Sequence, residues 1–217
     1  MQVALKDLEI RGAGNLLGGE QSGHIQGVGF DLYLRMIGEA VSTFRGDVAE
    51  GQTELRLELP VDAHIPEEYV DSERLRLEAY QKLSTAASPT ATDDQIDRVI
   101  EELSDRYGEP PVEVDNLVRV SRLRRVAQRA GLSEVVAMGP NLRIAPADLA
   151  DSKQVRLQRM YPGSKLFAQT NAVTVPLPKR DGEPLPDAEL VDWVRQLLDA
   201  VFTVEQAPAA KESAPKA

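Results

Sequence analysis

The sequence predicts an α+β fold: a helical hairpin with a glycine-rich loop, then several helices packed on a small, mostly antiparallel sheet. Three observations carry this prediction. Up to about residue 130, long segments place apolar residues at helical spacing. Beyond it, four short runs sit in pairs around Gly139-Pro140-Asn141 and Asn171. The last ordered segment returns to a strongly amphipathic helical pattern. The 217 residues suffice for one large domain, or a small one with an appendage.

The segment up to Arg11 reads as the end of a helix. Between Gly12 and Gly29 the chain carries Gly12, Gly14, Gly18, Gly19, Gly23, Gly27 and Gly29. Glycine tolerates positive φ and lets the backbone approach a ligand or another chain closely. Arg11, Asn15, Glu20, Gln21 and Ser22 lie in or beside that run. Phe30, Tyr33, Leu34, Ile37, Val41 and Phe44 then form one apolar helical stripe. A polar, glycine-hinged loop delivered by one helix and caught by the next is a contact loop.

Residues 54–59 alternate polar and apolar and predict a half-buried strand that Pro60 ends. The domain boundary is placed near residue 50. A helix is expected from residue 71 or 72 to 85, then a loop to Thr92. Asp93 or Asp94 is expected to cap the next helix, which puts Ile96, Val99, Ile100, Leu103 and Tyr107 on one face. Gly108 and Pro110-Pro111 stop it. The following helix spans about 113–130, with Gly131 as its cap. Arg124, Arg125 and Arg129 lie in its last turns, favourable to the negative end of the helix dipole. Strands are expected at 134–138, 142–145, 165–169 and 173–177, with a short helix over 152–160. A final helix from 187 or 188 to 202 aligns Leu190, Trp193, Val194, Leu197, Leu198 and Val201. Trp193 is expected in the core. Residues 204–217 have too little apolar surface to fold and are expected to be a disordered tail.

Net charge is −10. That argues against free-standing nucleic-acid binding, which depends on Lys and Arg. Residues 51–110 hold 15 acidic and 6 basic side chains, a difference of −9. Residues 111–131 reverse the sign, with 5 Arg against Glu113 and Asp115, giving +3. Two solvated helix faces would explain this, and so would a surface that meets a basic partner. The acids Asp97, Glu101, Glu102 and Asp105 fall away from the Ile96 face. The chain has no cysteine, which fits a cytoplasmic protein and excludes disulfides. No apolar run approaches a membrane span.

The run DLEIRGAGNLLGGEQSG, residues 7–23, resembles the translocation motif of two bacterial double-stranded DNA translocases, RecG and the transcription-repair coupling factors. The run ELPVDAHIPEEYVDSERLRLEAYQKL, residues 58–83, resembles the start of the C-terminal domain of the coupling factors. The likeness covers roughly residues 4–202. It implies a division into a translocation motif at 1–50 and a regulatory domain at 51–203. It also implies that Arg11, Asn15, Glu20, Gln21 and Ser22 couple ATP-driven domain closure to movement on duplex DNA. No phosphate-loop signature and no acidic magnesium box occurs, so ATP and Mg2+ belong to motor domains not contained in this sequence. This sequence therefore carries no catalytic residue by that reading. The resemblance further implies partners of the whole protein: RNA polymerase, UvrA, and the UvrA-binding module near the N-terminus of the same polypeptide. Glu101, Glu102 and Asp105 are the expected latch to that module. Gly19 departs from the relatives' charged residue and makes the loop more pliable.

Two other functions are compatible with parts of the sequence. One is a stand-alone acidic interaction domain with no motor. The other is a nucleotide-binding enzyme with a glycine-rich anion site. Gly12-x-Gly14-x-x-x-Gly18 lacks the preceding strand that a dinucleotide fingerprint requires. His24 and His64 stand 40 positions apart without cysteine, and suggest no metal site.

Overall fold

The computed structural model describes residues 55–202. The expected hairpin at 1–50, including Arg11, Asn15, Glu20, Gln21 and Ser22, lies outside the described residues, as does the tail at 204–217. Strand β1 (Arg56–Glu58) leads to helices α1 (Glu73–Ala86), α2 (Asp93–Tyr107) and α3 (Val112–Arg129). Then come β2 (Glu134–Met138), β3 (Asn141–Ala145), α4 (Asp151–Met160), β4 (Lys165–Phe167) and β5 (Ala172–Pro176). A two-residue-per-strand ribbon, β6 (Lys179–Arg180) and β7 (Glu183–Pro184), precedes α5 (Asp187–Val201).

The main sheet has the order β1-β2-β3-β5-β4. Only β1 and β2 run parallel, and the three helices between them form the crossover that a parallel pair requires. The other pairings are antiparallel. Register aligns Leu57, Val135, Ile144, Val173 and Leu166 in one row across all five strands. The first four are buried and Leu166 packs against them. The adjacent row is Glu58, Val136, Arg143, Thr174 and Lys165. One sheet face therefore meets the helices, and the other carries charged and polar side chains around the buried Val136, as period-two alternation dictates.

Four local expectations differ from the structure. Thr92, not Asp93 or Asp94, is the N-cap of α2, and no side chain caps it. Asp93 is the first helical residue, and its carboxylate accepts from Arg125 instead. Ala130 caps α3, with Gly131 one position beyond at φ +71. There the Gly131 and Leu132 N–H groups donate to the carbonyls of Gln128 and Ala127, a Schellman closure. Finally, β4 stops at Phe167, because Ala168–Thr170 form a 3-10 turn leading to left-handed Asn171. The β2–β3 turn is Gly139-Pro140 alone. Asn141 is already paired with Met138, and Gly139 supplies the positive φ that a two-residue turn needs.

The arginines of α3 do not form a solvated face. Arg124 and Arg125 are buried. Arg124 Nη2 donates to the Leu55 carbonyl at 2.8 Å. Arg125, whose side chain is 4% exposed, pairs with Asp93 at the start of α2. Arg122 pairs with Asp97, which lies off the buried Ile96 face and remains about half exposed. Arg129 donates to the Pro89 and Ala91 carbonyls, and Arg119 reaches Asp192 on α5 at 3.0 Å. Arginine suits this role because its fork offers several directed donors on one long arm. Trp193 is half-buried and meets Tyr161 edge-to-face at 5.5 Å.

Pro60 ends the ladder of β1 because it has no N–H to donate, yet the burial pattern continues. Leu55, Leu57, Leu59, Val61, Ala63 and Ile65 are all buried. An extended strap thus runs past the sheet over the helices. Side chains meet its backbone polar groups where no strand does. Asp62 N–H donates to Asp187 Oδ2 at 2.8 Å, and Asn116 Nδ2 donates to the Asp62 carbonyl at 2.9 Å. The Ile65 N–H donates to Tyr80 Oη at 2.7 Å.

Tyr80→Phe should leave the buried Ile65 N–H without its acceptor and cost about 1–3 kcal/mol in urea unfolding. Burial raises the Tyr80 phenol above its ordinary value of 10.0, against smaller lowering effects from the Ile65 bond and Arg76. A raised folded-state value means stability that is complete below the unfolded value and is lost as pH rises through the folded one. The wild type should therefore show an alkaline loss of stability that Tyr80→Phe lacks. Equal stability of the two proteins at neutral pH would refute the role given to this hydroxyl.

Candidate functional site

The candidate site is the solvent side of α2 and its supports on α1. Helical spacing buries Ile96 and Leu103 against the core and leaves the acids outside. Glu101 and Asp105 are exposed, as expected. Glu102 is different. Its carboxylate accepts from Lys82 Nζ on α1 at 2.5 and 2.7 Å and from Arg106 Nη1 at 3.3 Å. The hydrogen bond from Lys82, chiefly, holds its carboxyl below the ordinary value of 4.5; small desolvation opposes this and Arg106 assists.

Between α1 and α2 lies a shallow groove. Leu75, Ala79, Val99 and Leu103 line it, with Lys82, Glu102 and Arg106 among its charged members. Tyr107 closes one end, with Arg106 stacked 5.4 Å from its ring centroid. Tyr69 packs on Tyr107 edge-to-face at 5.8 Å, and its hydroxyl donates to the Gly108 carbonyl at 3.0 Å. Burial chiefly, with Tyr107 and Asp115, raises the Tyr69 phenol. The C-terminal end of α2 is thus fixed by an aromatic pair.

The structure separates what the sequence grouped. Glu101 and Asp105 are one helical turn apart and point outward without partners among the described residues, whereas Glu102 ties α2 to α1. Arg106 was legible as the i+4 partner of Glu102. Lys82 was not, because it stands 20 positions away on another helix. The arrangement supports binding of cationic groups. Among the described residues, no group of three or more His, Cys, Asp or Glu side chains is placed to hold a metal ion. No helix among them is long and apolar enough to cross a membrane.

Comparison with known proteins accords with this architecture. A family model described as the TRCF domain matches residues 59–157. The transcription-repair-coupling factor of Mycobacterium bovis is 48% identical over 216 residues, covering 93% of this chain and 17% of that protein. That of Staphylococcus epidermidis is 34% identical over 219 residues, covering 97% of this chain and 18% of that protein. The chain belongs to the transcription-repair-coupling factor family. It corresponds to a C-terminal part, and spans less than a fifth of the length of those relatives. A crystal structure of the C-terminal domain of a transcription-repair coupling factor superposes with a TM-score of 0.51 at 18% identity. It covers 68% of this chain and 94% of that one, and shows the shared α+β fold.

The Lys82–Glu102 contact yields a pH prediction. A depressed folded-state value contributes stability that is present above the unfolded value and lost as pH falls through the folded one. Lys82→Met should therefore lower stability at pH 7 by at most about 1 kcal/mol, since both side chains are partly solvent-exposed and the pair is screened. The difference between the two proteins should shrink as pH falls below about 4.5. A difference unchanged into strong acid would show that Lys82 acts by packing alone.

Proposed function

We propose that this chain is the regulatory end of an ATP-dependent double-stranded DNA translocase that displaces stalled RNA polymerase and recruits nucleotide excision repair. In this reading residues 1–50 carry the translocation motif. Residues 51–203 form a domain that masks the UvrA-binding module of the same polypeptide. ATP and Mg2+ act in motor domains elsewhere in the whole protein, and duplex DNA is engaged through them. The single observation that carries the latch is the pair of exposed carboxylates, Glu101 and Asp105, without a partner among the described residues, on a helix tied to its neighbours by Lys82, Arg122 and Arg125. Exposed ion pairs are individually weak, so a contact built from them opens readily.

Glu102 takes a supporting role in this latch, because its carboxylate already holds Lys82 and Arg106. Reversing it would set three cations against one another within the domain. The informative variant is therefore Glu101→Lys with Asp105→Lys in the full-length protein. It should melt as the wild type does, within about 0.5 kcal/mol for such surface changes. It should also bind UvrA more readily, and hydrolyse ATP faster without polymerase. Added salt should mimic part of this by screening. Unchanged UvrA capture with an unchanged melt would reduce these acids to a solvated face.

For the translocation motif, Gln21→Ala and Arg11→Ala in the full-length protein should uncouple hydrolysis from movement. A glutamine amide both donates and accepts, and a guanidinium suits phosphate, so either loss breaks the relay without touching the nucleotide site. ATPase should persist while displacement of a DNA triplex or a stalled polymerase fails. Normal displacement in both variants would remove the assigned role.

A further inference from the structure

We propose that the α4–β4 edge of the sheet is a docking site for an acidic, extended segment of a partner protein, which adds to β4 as a sixth strand. This surface is separate from the acids of α2, so it stands or falls independently of the latch.

The first observation is topological. Among the described residues, β4 pairs with β5 alone and is the outer strand of the sheet. An outer strand presents backbone donors and acceptors along its free side, which is a template for another strand. The opposite edge is occupied differently, since Arg124 already takes the Leu55 carbonyl just before β1.

Charge supplies the second observation. Residues 151–180 contain Lys153, Arg156, Arg159, Lys165, Lys179 and Arg180 against Asp151 alone, a net charge of +5 in a chain of −10. Arg180 is engaged with Glu189, and Arg156 with the Ala200 carbonyl. Arg159, in the last turn of α4, and Lys165, at the start of β4, are exposed and have no carboxylate partner among the described residues. They flank the turn at 161–164 that joins the helix to the edge strand.

The third observation is exposed apolar surface on the same stretch. Val155 is 65% exposed, Met160 51% and Phe167 44%. Lys165 and Phe167 lie two positions apart on β4, so they share the open face, while Leu166 turns to the core. An incoming strand would lay alternate side chains beside that cation and that ring. Opposite charges across neighbouring strands are favourable and like charges are not. That selects acids in the partner, and disfavours a second copy bringing its own basic edge. Phosphodiesters would satisfy Arg159 and Lys165 but make no use of the apolar side chains, so the combination favours protein over nucleic acid.

The test selects binders from a random dodecapeptide library displayed on phage, using the full 217-residue chain as bait. Enriched peptides should combine acids with β-branched or aromatic residues in alternation. Synthetic copies should lose affinity about tenfold or more with Lys165→Glu, and also with Arg159→Glu, which lies on the helix and cannot disturb the strand. Glu101→Lys should leave that affinity unchanged, and the melting curves of all variants should coincide with the wild type. Backbone amide shifts on titration should centre on residues 165–167. Failure to enrich any peptide, or enrichment of peptides insensitive to both reversals, overturns the proposal. So does binding of a mixed-sequence DNA duplex that Lys165→Glu abolishes, which would reassign the surface to phosphate.

Discussion

The strap from Leu55 to Ile65 is the constraint on which the rest of the domain depends. Every second side chain enters the core, so the backbone is drawn into contact with the helices over its whole length. Buried backbone groups need partners, and beyond Pro60 no neighbouring strand supplies them. One side chain from each of three helices does so: Tyr80 from α1, Asn116 from α3 and Asp187 from α5. Arg124 adds a fourth tie at the Leu55 carbonyl. These directed contacts fix the rotation of each helix about its axis, which apolar packing alone leaves loosely specified.

Fixing those rotations also fixes what faces outward. With α3 held by Arg124, its Arg122 and Arg125 reach α2 and meet Asp97 and Asp93. That sets α2 so that Ile96 and Leu103 are buried and Glu101 and Asp105 are left in solvent. The acidic outer surface of α2 is therefore a consequence of arginines on a neighbouring helix. A helix anchored in this way has little freedom left to lose on any further contact.

The α2 surface and the β4 edge have opposite sign and different architecture. The α2 surface is acidic, helical and braced by Lys82 and Arg106. The β4 edge is basic, extended and carries unburied apolar side chains. A chain with a net charge of −10 thus keeps a local positive edge. Lysine on an outer strand also discourages indiscriminate pairing with other sheets, so the feature that would admit an acidic partner excludes most others.

Much was legible from the residues themselves. Period and punctuation determined the order of the helices and of the five strands of the main sheet, most boundaries within two residues and most of the core stripe of α5, because these depend on neighbours within a few positions along the chain; the two-residue strands β6 and β7 were not legible, and Asn141 read as part of the turn. The family was legible from two contiguous runs. What only the tertiary structure decided depends on groups far apart in sequence. Arg124 and Arg125 read as helix-end charges, yet they are buried because Leu55 and Asp93 lie 69 and 32 positions away. Glu102 read as one more exposed acid, yet Lys82 claims it from another helix. Pro60 read as the end of an extended segment, yet the segment continues because side chains replace the missing ladder. Local pattern specifies which face of an element is apolar. It cannot specify which distant donor will meet a given acceptor, since that choice is made when the elements pack.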